Sequence, residues 1–451
     1  MDVTTGPGPE PVIATPEDDR LYKKVTRRLM PLLVVAYMIA FLDRINIGYA
    51  ELQMKDELGF SNVAFALGAG VFFVGYLIFE VPSNMFLERY GARRTLLRIM
   101  FLWGLVAAGM AFVQTPWQFY VLRFLLGAFE AGFFPGVILY LTYWFPSARR
   151  GRVIAIFLTA TTLALIFAGP LSGAILKYMD GVLTFSGWQW MFVVEGLPAT
   201  ILGIIIWFRL SDKPEQASWL TQDEQARLRA HLEQDAHGVV AASHDKAWHV
   251  LRDPKVYLLI LVYLMFLGAT YGMLFWAPTL IQSWGVEDLF VIGLLGALPA
   301  IVGAVGMVML GRSSDKHLER RWHFFGAGVV CALGIVVTIF TKGVLVPSLL
   351  GLCVMAIGQA SLTPLFFTAV SEYFPAKTAA VGVAVVSSLG NLGPAVVPPV
   401  LASITTATGT QTASLSVVTV LYVLAACLFL VAVRPRRSAA ARSTAEAPAR
   451  S

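Results

Sequence analysis

The stretch from residue 117 to residue 144 reads WQFYVLRFLLGAFEAGFFPGVILYLTYW, and it decides the fold class. Only two of its side chains, Arg123 and Glu130, are charged. A helix needs about 20 predominantly apolar residues to cross the hydrocarbon core of a bilayer. The stretch therefore predicts a membrane-spanning helix that carries two ionisable groups at membrane depth.

Apolar runs of this kind recur along the whole chain. Of the 451 residues, 57% are hydrophobic and 14% are charged, whereas a soluble domain usually has about 25% charged residues. This composition excludes a soluble globular protein, a disordered chain and a disulfide scaffold, and it predicts an all-α membrane protein. Twelve spans are predicted, over residues 29–50, 63–86, 95–114, 117–144, 152–177, 188–209, 256–282, 289–311, 323–341, 345–371, 379–404 and 414–433.

The loops between the spans alternate in charge. Arginines and lysines follow spans 2, 4 and 8, whereas the loops after spans 3 and 7 contain none. Because basic loops stay on the cytoplasmic side, this bias predicts a multi-pass protein of the cell membrane with both termini in the cytoplasm. The net charge of +6 is then explained by orientation signals, so we expect a lipid bilayer and no nucleic acid as partner. The three cysteines lie in apolar runs, and no phosphate-binding loop motif occurs, so we expect neither a metal site nor ATP-driven chemistry.

The two halves of the chain repeat each other. The dipeptides Phe145-Pro146 and Phe374-Pro375 end the fourth span of each half, at an offset of 229 residues. Pro135 and Pro364 share this offset. Such a repeat predicts two pseudo-symmetric six-helix bundles with a site between them. The predicted units are a disordered cytoplasmic tail (1–22), an N-terminal bundle (23–210), a cytoplasmic linker (211–254), a C-terminal bundle (255–434) and a second disordered cytoplasmic tail (435–451).

Ionisable residues inside the spans need an explanation, because each costs on the order of 2.5–3.5 kcal/mol at the centre of a bilayer. Arg123 and Glu130 are seven residues apart and share one helix face with Gly127 between them, about 10 Å apart along the axis. Asp43 and Arg44 are adjacent and point about 100° apart, so they can serve different partners.

Two interpretations of these four residues stay open. Asp43 with Arg123, or Arg44 with Glu130, can form buried ion pairs that only lock helices together. Alternatively, the arginines bind an anion and the carboxylates bind protons, since a low-dielectric cavity favours a neutral carboxyl group and an arginine stays charged and grips a carboxylate with two hydrogen bonds.

The second half lacks these charges. The position 229 residues after Glu130 is Gln359, a neutral isostere, and the part of span 7 that corresponds to Asp43 and Arg44 reads ATYGMLFW. We therefore expect the first half to supply ions and the second to shape the site with polar and aromatic groups such as Tyr271 and Gln359, although a lone tyrosine in a span is more often a packing residue.

Two loops that follow the second span of each half are candidate gates. NMFLERYGAR contains Glu88, Arg89 and Arg93, and GRSSDKHLER contains Asp315 and Arg320. Ion pairs there can break when the halves rock, although plain orientation charge is the simpler interpretation. Near the first loop, Glu80 is assigned to the same gate, and Glu195 in span 6 is interpreted as a structural or gate residue.

These motifs together resemble the major facilitator superfamily and, within it, the anion:cation symporter family. The resemblance rests on the two gate loops, on LDRIN (42–46), RFLLGAFEAGFFPG (123–136), YWFPSARRGR (143–152) and GWQWMFVVEGLPA (187–199), and it covers nearly the whole chain. It implies proton symport of an organic anion by alternating access. Within this family, the segment at 45–61 (INIGYAELQMKDELGFS) resembles permeases for tartrate and related sugar or aromatic acids more than it resembles the galactonate type.

The resemblance also implies roles for individual residues. Asp43 and Glu130 correspond to proton-coupling carboxylates, and Arg44 and Arg123 to anion-binding arginines. Tyr76 and Asn391 match positions that touch substrate. We expect a monomeric carrier, not an enzyme, with no cofactor other than the coupling proton. A permease for aromatic acids such as hydroxyphenylacetate or phthalate, and an uncoupled or exchange carrier of the same fold, are the alternatives.

Overall fold

The regular structure of the chain is helical throughout the part that is described. The computed structural model describes residues 15–236, 250, 252–341, 343–374 and 378–433. Within these ranges, twelve helical segments are long and apolar enough to cross a membrane. The prediction of an all-α membrane protein with twelve spans is confirmed.

Fifteen α-helices of the described ranges are used below, and ten of them cross the membrane as single helices. The first bundle contains α1 (Pro16–Glu57), α2 (Asn62–Tyr90), α3 (Ala92–Gly109), α4 (Pro116–Glu130), α5 (Phe133–Thr142), α6 (Ser147–Tyr178) and α7 (Gly187–Arg209), and α8 (Gln222–Ala236) follows in the linker. The second contains α9 (Pro254–Ser283), α10 (Leu289–His317), α11 (Arg321–Phe340), α12 (Leu345–Tyr373), α13 (Ala379–Gly390), α14 (Gly393–Thr408) and α15 (Gln411–Ala432).

Helix α1 begins well before the first predicted span, inside the tail predicted to be disordered. Thr15 caps it in a capping box with Asp18, and Pro16 occupies the first turn. Both features favour a helix start because they satisfy or remove the free backbone N–H groups there. Residues 16–22 are therefore helical, while residues 1–14 and the predicted tail at 435–451 lie outside the described residues.

The linker helix α8 is docked on the start of α1 rather than fully solvated. Lys24 Nζ lies 2.7 Å from Glu224 Oε2, and the Tyr22 hydroxyl lies 3.0 Å from His231 Nδ1. An exposed ion pair contributes at most about 1 kcal/mol to stability. The buried side chain of Tyr22 adds an apolar part to the contact between α1 and α8. Residues 237–249 and 251 of the linker lie outside the described residues.

Two of the twelve spans are interrupted, which the sequence analysis did not anticipate. The fourth span ends as α4 at Glu130 and restarts as α5, with Gly132 between them in the left-handed region (φ 83°). The eleventh span changes from α13 to α14 at Asn391. Interrupted membrane helices are tolerated where the free backbone lines a cavity or is buried in protein, so they point to the functional region.

The two bundles pack against each other mainly on one side of the membrane. Since the linker follows six spans, it lies on the same side as the start of α1; we call this the linker side and the opposite one the distal side. In the distal half, a Cβ atom on Gly169 of α6 would collide with the Gly293 carbonyl oxygen of α10. Gly48 of α1 approaches the backbone of Phe275 in α9 in the same way. This close packing of small residues closes the distal side.

An ion pair at the distal surface completes this closure. Lys177 at the end of α6 donates to Asp288, the residue that caps α10. The same carboxylate accepts from the backbone N–H groups of Phe290 (2.9 Å) and Val291 (3.2 Å). The hydrogen bond from Lys177, together with these N–H groups, lowers the pKa of Asp288 below its usual value of 3.8. The contact is therefore present above that value and is lost only as the pH falls through the lowered pKa.

We predict that Asp288→Asn weakens the distal closure by the same amount at pH 8 and at pH 5. Spin labels on cysteines at Val182 and Glu287, in a background without native cysteines, report the distal separation of the bundles by double electron–electron resonance. The variant should populate longer distances than the parent at both pH values, because the lost ion pair does not titrate between them. Asp56→Asn removes an exposed distal carboxylate as the control, and an effect of Asp288→Asn at only one of the two pH values would contradict the assignment.

Candidate functional site

A buried ion pair between α1 and α4 forms the centre of the candidate site. Arg44 Nη2 and Nε lie 2.6 and 2.7 Å from Glu130 Oε1. The Glu130 side chain is fully buried, and that of Arg44 is 12% exposed. Burying two charges is costly unless their geometry is good, and removing one partner of such a pair typically costs about 3–5 kcal/mol. Of the two pairings left open above, the structure contains this one.

Aromatic rings hold both arginines of the site. The guanidinium carbon of Arg44 lies 4.9 Å from the ring centroid of Tyr76 and 5.6 Å from that of Phe72. The guanidinium of Arg123 lies 5.1 Å from the same Phe72 ring. Phe72 therefore lies between two cations, and each such contact is worth about 0.5–2 kcal/mol. Tyr76, predicted to touch substrate, lies beside Arg44.

Arg123 is the most unusual group of the site because its charge has no bonded counterpart. It is fully buried, and its Nε donates to the carbonyl oxygen of Gly68 at 3.4 Å. Within the described residues, Nη1 and Nη2 have no hydrogen-bond partner, and neither does Glu130 Oε2. Buried polar groups are normally satisfied, so a guanidinium with both terminal nitrogens unused marks a site for an acceptor.

Asp43 belongs to a different part of the bundle from its neighbour Arg44. Its Oδ2 accepts from Trp103 Nε1 of α3 at 2.6 Å, and its Oδ1 from Asn46 Nδ2 at 3.5 Å. Only 1% of Asp43 is exposed. The expected 100° separation of Asp43 and Arg44 is thus realised, since Arg44 bonds to α4 and Asp43 to α3 and to its own helix.

Gly127 allows α4 to lie against α2 at the level of the site. A Cβ atom at this position would collide with the carbonyl oxygen of Phe72. The helix face that Arg123 and Glu130 share with Gly127 therefore serves as a packing surface for α2. This packing brings the backbone that carries Phe72 close to the face that carries Arg123 and Glu130.

The second bundle contributes an aromatic group to this site. The Tyr271 ring lies 4.8 Å from that of Phe73 across the two halves, and its side chain lies near the guanidinium of Arg44. Asn391 lies at the interruption between α13 and α14, and Gln359 lies on α12. Within the described residues, neither of these two side chains hydrogen-bonds to the Arg44–Glu130 pair, so their predicted contact with a ligand stays a prediction.

Among the described residues, the candidate gate residues contact their own bundle or, for Arg93, also the start of the linker. Arg93 stacks on Trp207, 4.3 Å from its ring centroid, and its backbone N–H donates to Asp212. Arg89 stacks on the adjacent Tyr90, and no ion pair of Glu88 occurs among the described residues. In the second bundle, Arg320 pairs with Asp315 at 2.6 Å and with Glu372 at 3.4 Å, a residue that the sequence analysis did not assign to the site.

One polar contact of this region does cross between the bundles. Ser388 Oγ of α13 lies 3.3 Å from Glu80 Oε2 of α2. Glu80 was assigned to a gate near the loop arginines, but its partner here is this serine of the other bundle.

Three side chains of the site were missed by the sequence analysis. Asn46 lies one turn after Asp43 and could have been found by this spacing. Phe72 and Trp103 look like ordinary apolar residues of a span, and only the packing of α2 and α3 shows that they contact the charged groups.

This fold, with charged groups held in the core of one bundle beside a second one, defines a multi-pass membrane transporter and not an enzyme. The sequence profile of the Major Facilitator Superfamily matches residues 33–352 and 288–451, and the chain belongs to this superfamily.

Named relatives and a solved structure agree with this assignment. The chain is 41% identical over 434 residues to the "Putative tartrate transporter" of Agrobacterium vitis, with 96% of each chain covered. It is 42% identical over 418 residues to the "Putative metabolite transport protein NicT" of Pseudomonas putida, covering 91% of this chain and 92% of the relative. A bacterial homologue of the human lysosomal transporter Spinster, in an inward-facing and unoccupied conformation, has a similar fold, with a TM-score of 0.76 and 18% identity over 92% of this chain and 97% of that chain. The predicted resemblance to tartrate and related permeases of this superfamily is confirmed.

We predict that Gly127→Ala destabilises the protein by about 1–3 kcal/mol, the usual cost of overpacking a core. The added methyl group would collide with the backbone of α2 and not with a flexible side chain, so the helices must move apart. Thermal unfolding of the detergent-purified protein measures this. Gly151→Ala is the matched control, because its Cβ would meet nothing within 4 Å, and equal melting temperatures for the two variants would contradict the close approach.

Proposed function

We propose that the chain is a secondary active transporter that imports an organic carboxylate by proton symport with alternating access. The observation that carries this proposal is the fully buried Arg123, whose two terminal nitrogens are unpartnered, within the described residues, beside the Arg44–Glu130 pair. A carboxylate is the acceptor that fits a guanidinium best, because two parallel N–H···O bonds form at once.

Glu130 connects proton binding to anion binding. As a carboxylate it occupies Arg44 through a hydrogen bond to Nε and a close ion-pair contact with Nη2. When it binds a proton it loses its charge and its hold on the guanidinium weakens, so Arg44 becomes free to bind the carboxylate of the substrate. Asp43 is proposed as the second proton-binding group. After the bundles rock, proton release on the other side restores the ion pair and expels the anion.

The orientation of the chain in the membrane is also part of the proposal. We propose that the linker side is cytoplasmic, because the arginine-rich loops after the second, fourth and eighth spans lie there. The membrane is then the cell membrane, cytoplasmic or inner, with both termini in the cytoplasm. One chain holds all the proposed groups, which supports a monomeric carrier.

The anion itself is proposed to be tartrate or another sugar or hydroxy acid. The name of the relative from Agrobacterium vitis supports this substrate class. An aromatic acid is the second candidate, because Phe72 and Tyr76 of the first bundle and Tyr271 of the second surround Arg44. Such rings can stack on an aromatic substrate whose carboxylate is held by the arginine.

We predict that carboxylates, but not neutral sugars or amines, stabilise the purified protein. A thermal-shift panel of tartrate, gluconate, 4-hydroxyphenylacetate and phthalate, at pH 5.5 and pH 8, checks this and separates the two substrate classes. Stabilisation should be larger at the lower pH, because protonation of Glu130 releases Arg44. Arg123→Gln should abolish the shift. Lys213→Gln, which removes one positive charge from the exposed linker, is the control and should retain the shift. Stabilisation by neutral sugars or amines alone would contradict the proposal.

We predict that Glu130→Gln abolishes accumulation driven by a pH gradient and leaves counterflow exchange largely intact. Glutamine keeps the shape of the side chain and an acceptor for Arg44, but it cannot bind and release a proton. Uptake of radiolabelled tartrate or 4-hydroxyphenylacetate into proteoliposomes, with and without a gradient, measures both activities. Glu215→Gln in the exposed linker is the control.

Two results would count against this mechanism. Loss of both activities in a folded Glu130→Gln protein would mean that Glu130 is structural. Accumulation by the unaltered protein that survives collapse of the proton gradient would indicate an uncoupled or exchange carrier.

A further inference from the structure

Glu195 of α7 is a buried carboxyl group that the proposed mechanism does not use. It is 4% exposed, and its Oε1 accepts from Ser172 Oγ of α6 at 2.8 Å. Its Oε2 has no hydrogen-bond partner among the described residues. An ionised carboxylate in such a position would carry an unsatisfied charge in a region of low dielectric, which is among the most costly arrangements in a protein.

No cation of the described residues compensates this carboxyl group. Helix α7 packs against α1, α3 and α6. The polar and titratable groups that face Glu195 from these helices are Asn46, Asp43 and Tyr49 of α1 and Ser172 of α6. No lysine or arginine in the described part of the chain is among them. The interaction with Asp43 is a repulsion between like charges, so the two carboxyl groups influence each other's protonation.

Asn46 links the two carboxyl groups. Its Nδ2 donates to Asp43 Oδ1 at 3.5 Å, and its side chain lies close to that of Glu195. Its Oδ1, like Glu195 Oε2, has no partner among the described residues, and the residue is 1% exposed. Both unpartnered atoms are acceptors, so they cannot bond to each other as they stand. A proton on Glu195 removes its charge and gives the carboxyl group a hydrogen-bond donor, and a donor is what each of these oxygens lacks among the described residues.

The position of Glu195 places it towards the distal side of Asp43. It lies eight residues after the start of α7, about 12 Å along the helix from the distal end. Along α1, Asp43, Asn46 and Tyr49 follow one another by about one turn towards the same end. The Tyr49 hydroxyl lies at the seam between the bundles, 2.8 Å and 2.6 Å from where Cβ atoms of Gly169 and Gly296 would be. The polar chain thus extends from Asp43 to the seam that opens when the distal side opens.

We propose that Glu195 is a further proton-binding group of the carrier, forming one coupled unit with Asp43 through Asn46. A proton that enters from the distal side binds at Glu195 or Asp43, and the unit loads and unloads as a pair. This inference deepens the proposed function and rests on it. It assigns Glu195 to proton binding, whereas the sequence analysis interpreted this residue as a structural or gate residue.

Infrared difference spectroscopy of the purified protein tests the proton on Glu195 without any transport assay. A step from pH 8 to pH 5 should change the carboxylic-acid band of the unaltered protein, and Glu195→Gln should remove part of this change. Glu287→Gln, an exposed distal position, is the matched control and should leave the difference spectrum unchanged. Ser172→Ala keeps the carboxyl group but removes the donor to Oε1, so the midpoint should move to higher pH by about one unit.

Transport in proteoliposomes then tests whether this proton contributes to coupling. With tartrate or 4-hydroxyphenylacetate as the probe, Glu195→Gln should shift the pH midpoint of gradient-driven uptake by about one unit, as expected for loss of a coupled carboxyl group. Counterflow exchange should be retained. If Glu195→Gln does not fold, two milder variants replace it. Glu195→Asp keeps an acid at this position, and Ser172→Ala keeps Glu195 but removes its hydrogen-bond donor, so the pH midpoint of uptake is compared in these two variants instead.

The proposal is overturned if Glu195→Gln leaves the infrared difference spectrum unchanged, because Glu195 then binds no proton in this range. It is also overturned if the spectrum changes but the pH profile of uptake stays that of the unaltered protein, because the carboxyl group then takes no part in coupling. Failure of the proposed function looks different: the unaltered protein itself would show no uptake in response to a pH gradient.

Discussion

The buried ion pair between Arg44 and Glu130 is the constraint on which the rest of the site depends. It joins α1 to α4 in a region where a single charge would be costly, so neither residue can be ionised alone without a replacement partner. The surrounding features support this pair. Gly127 lets α2 approach, Phe72 provides a ring face for two guanidinium groups, and the span ends as a regular helix directly after Glu130. A carrier can use such a pair because a proton and an anion are the two ligands that replace its members.

The duplicated scaffold carries a site that is not duplicated. In the described part of the chain, each bundle has six spans, one of which is interrupted, but it is the fourth span in the first bundle and the fifth in the second. The equivalent of Glu130 is the neutral Gln359, and the second bundle presents Tyr271 to Arg44. A fixed charge on one bundle and aromatic surface on the other allow the bundles to separate without breaking an ion pair at the centre. Among the described residues, the ion pair that joins the bundles is that between Lys177 and Asp288. It lies at the exposed distal surface, where water can solvate both groups.

The sequence predicts the fold better than it predicts contacts, for physical reasons. Twelve spans follow from apolar length alone, and the divergent directions of Asp43 and Arg44 follow from helix geometry. The breaks at Gly132 and Asn391 were not predicted, because polar residues, glycines and prolines also occur inside continuous spans, and a left-handed glycine has no compositional mark of its own. The docking of α8 was not predicted either, because a polar helix looks the same whether it is solvated or packed on another polar surface. Contacts of Trp103 and Phe72 depend on which face of a uniformly apolar helix meets its neighbour.

Helix α1 is the element in which the proposed proton-binding and anion-binding groups meet the residues that close the distal side. Arg44 faces α4, Asp43 faces α3, Asn46 continues towards α7, and Gly48 packs directly on the backbone of α9. These residues lie within two turns of one rigid helix, so a change in charge at Asp43 or Arg44 acts on the same segment that seals the distal side. The distal ion pair cannot be the pH sensor, since the pKa of Asp288 is lowered below 3.8 and its charge is constant in the working range. In the proposed mechanism, a response to pH therefore begins at the buried carboxyl groups, and α1 is the covalent path that connects them to the seam between the bundles.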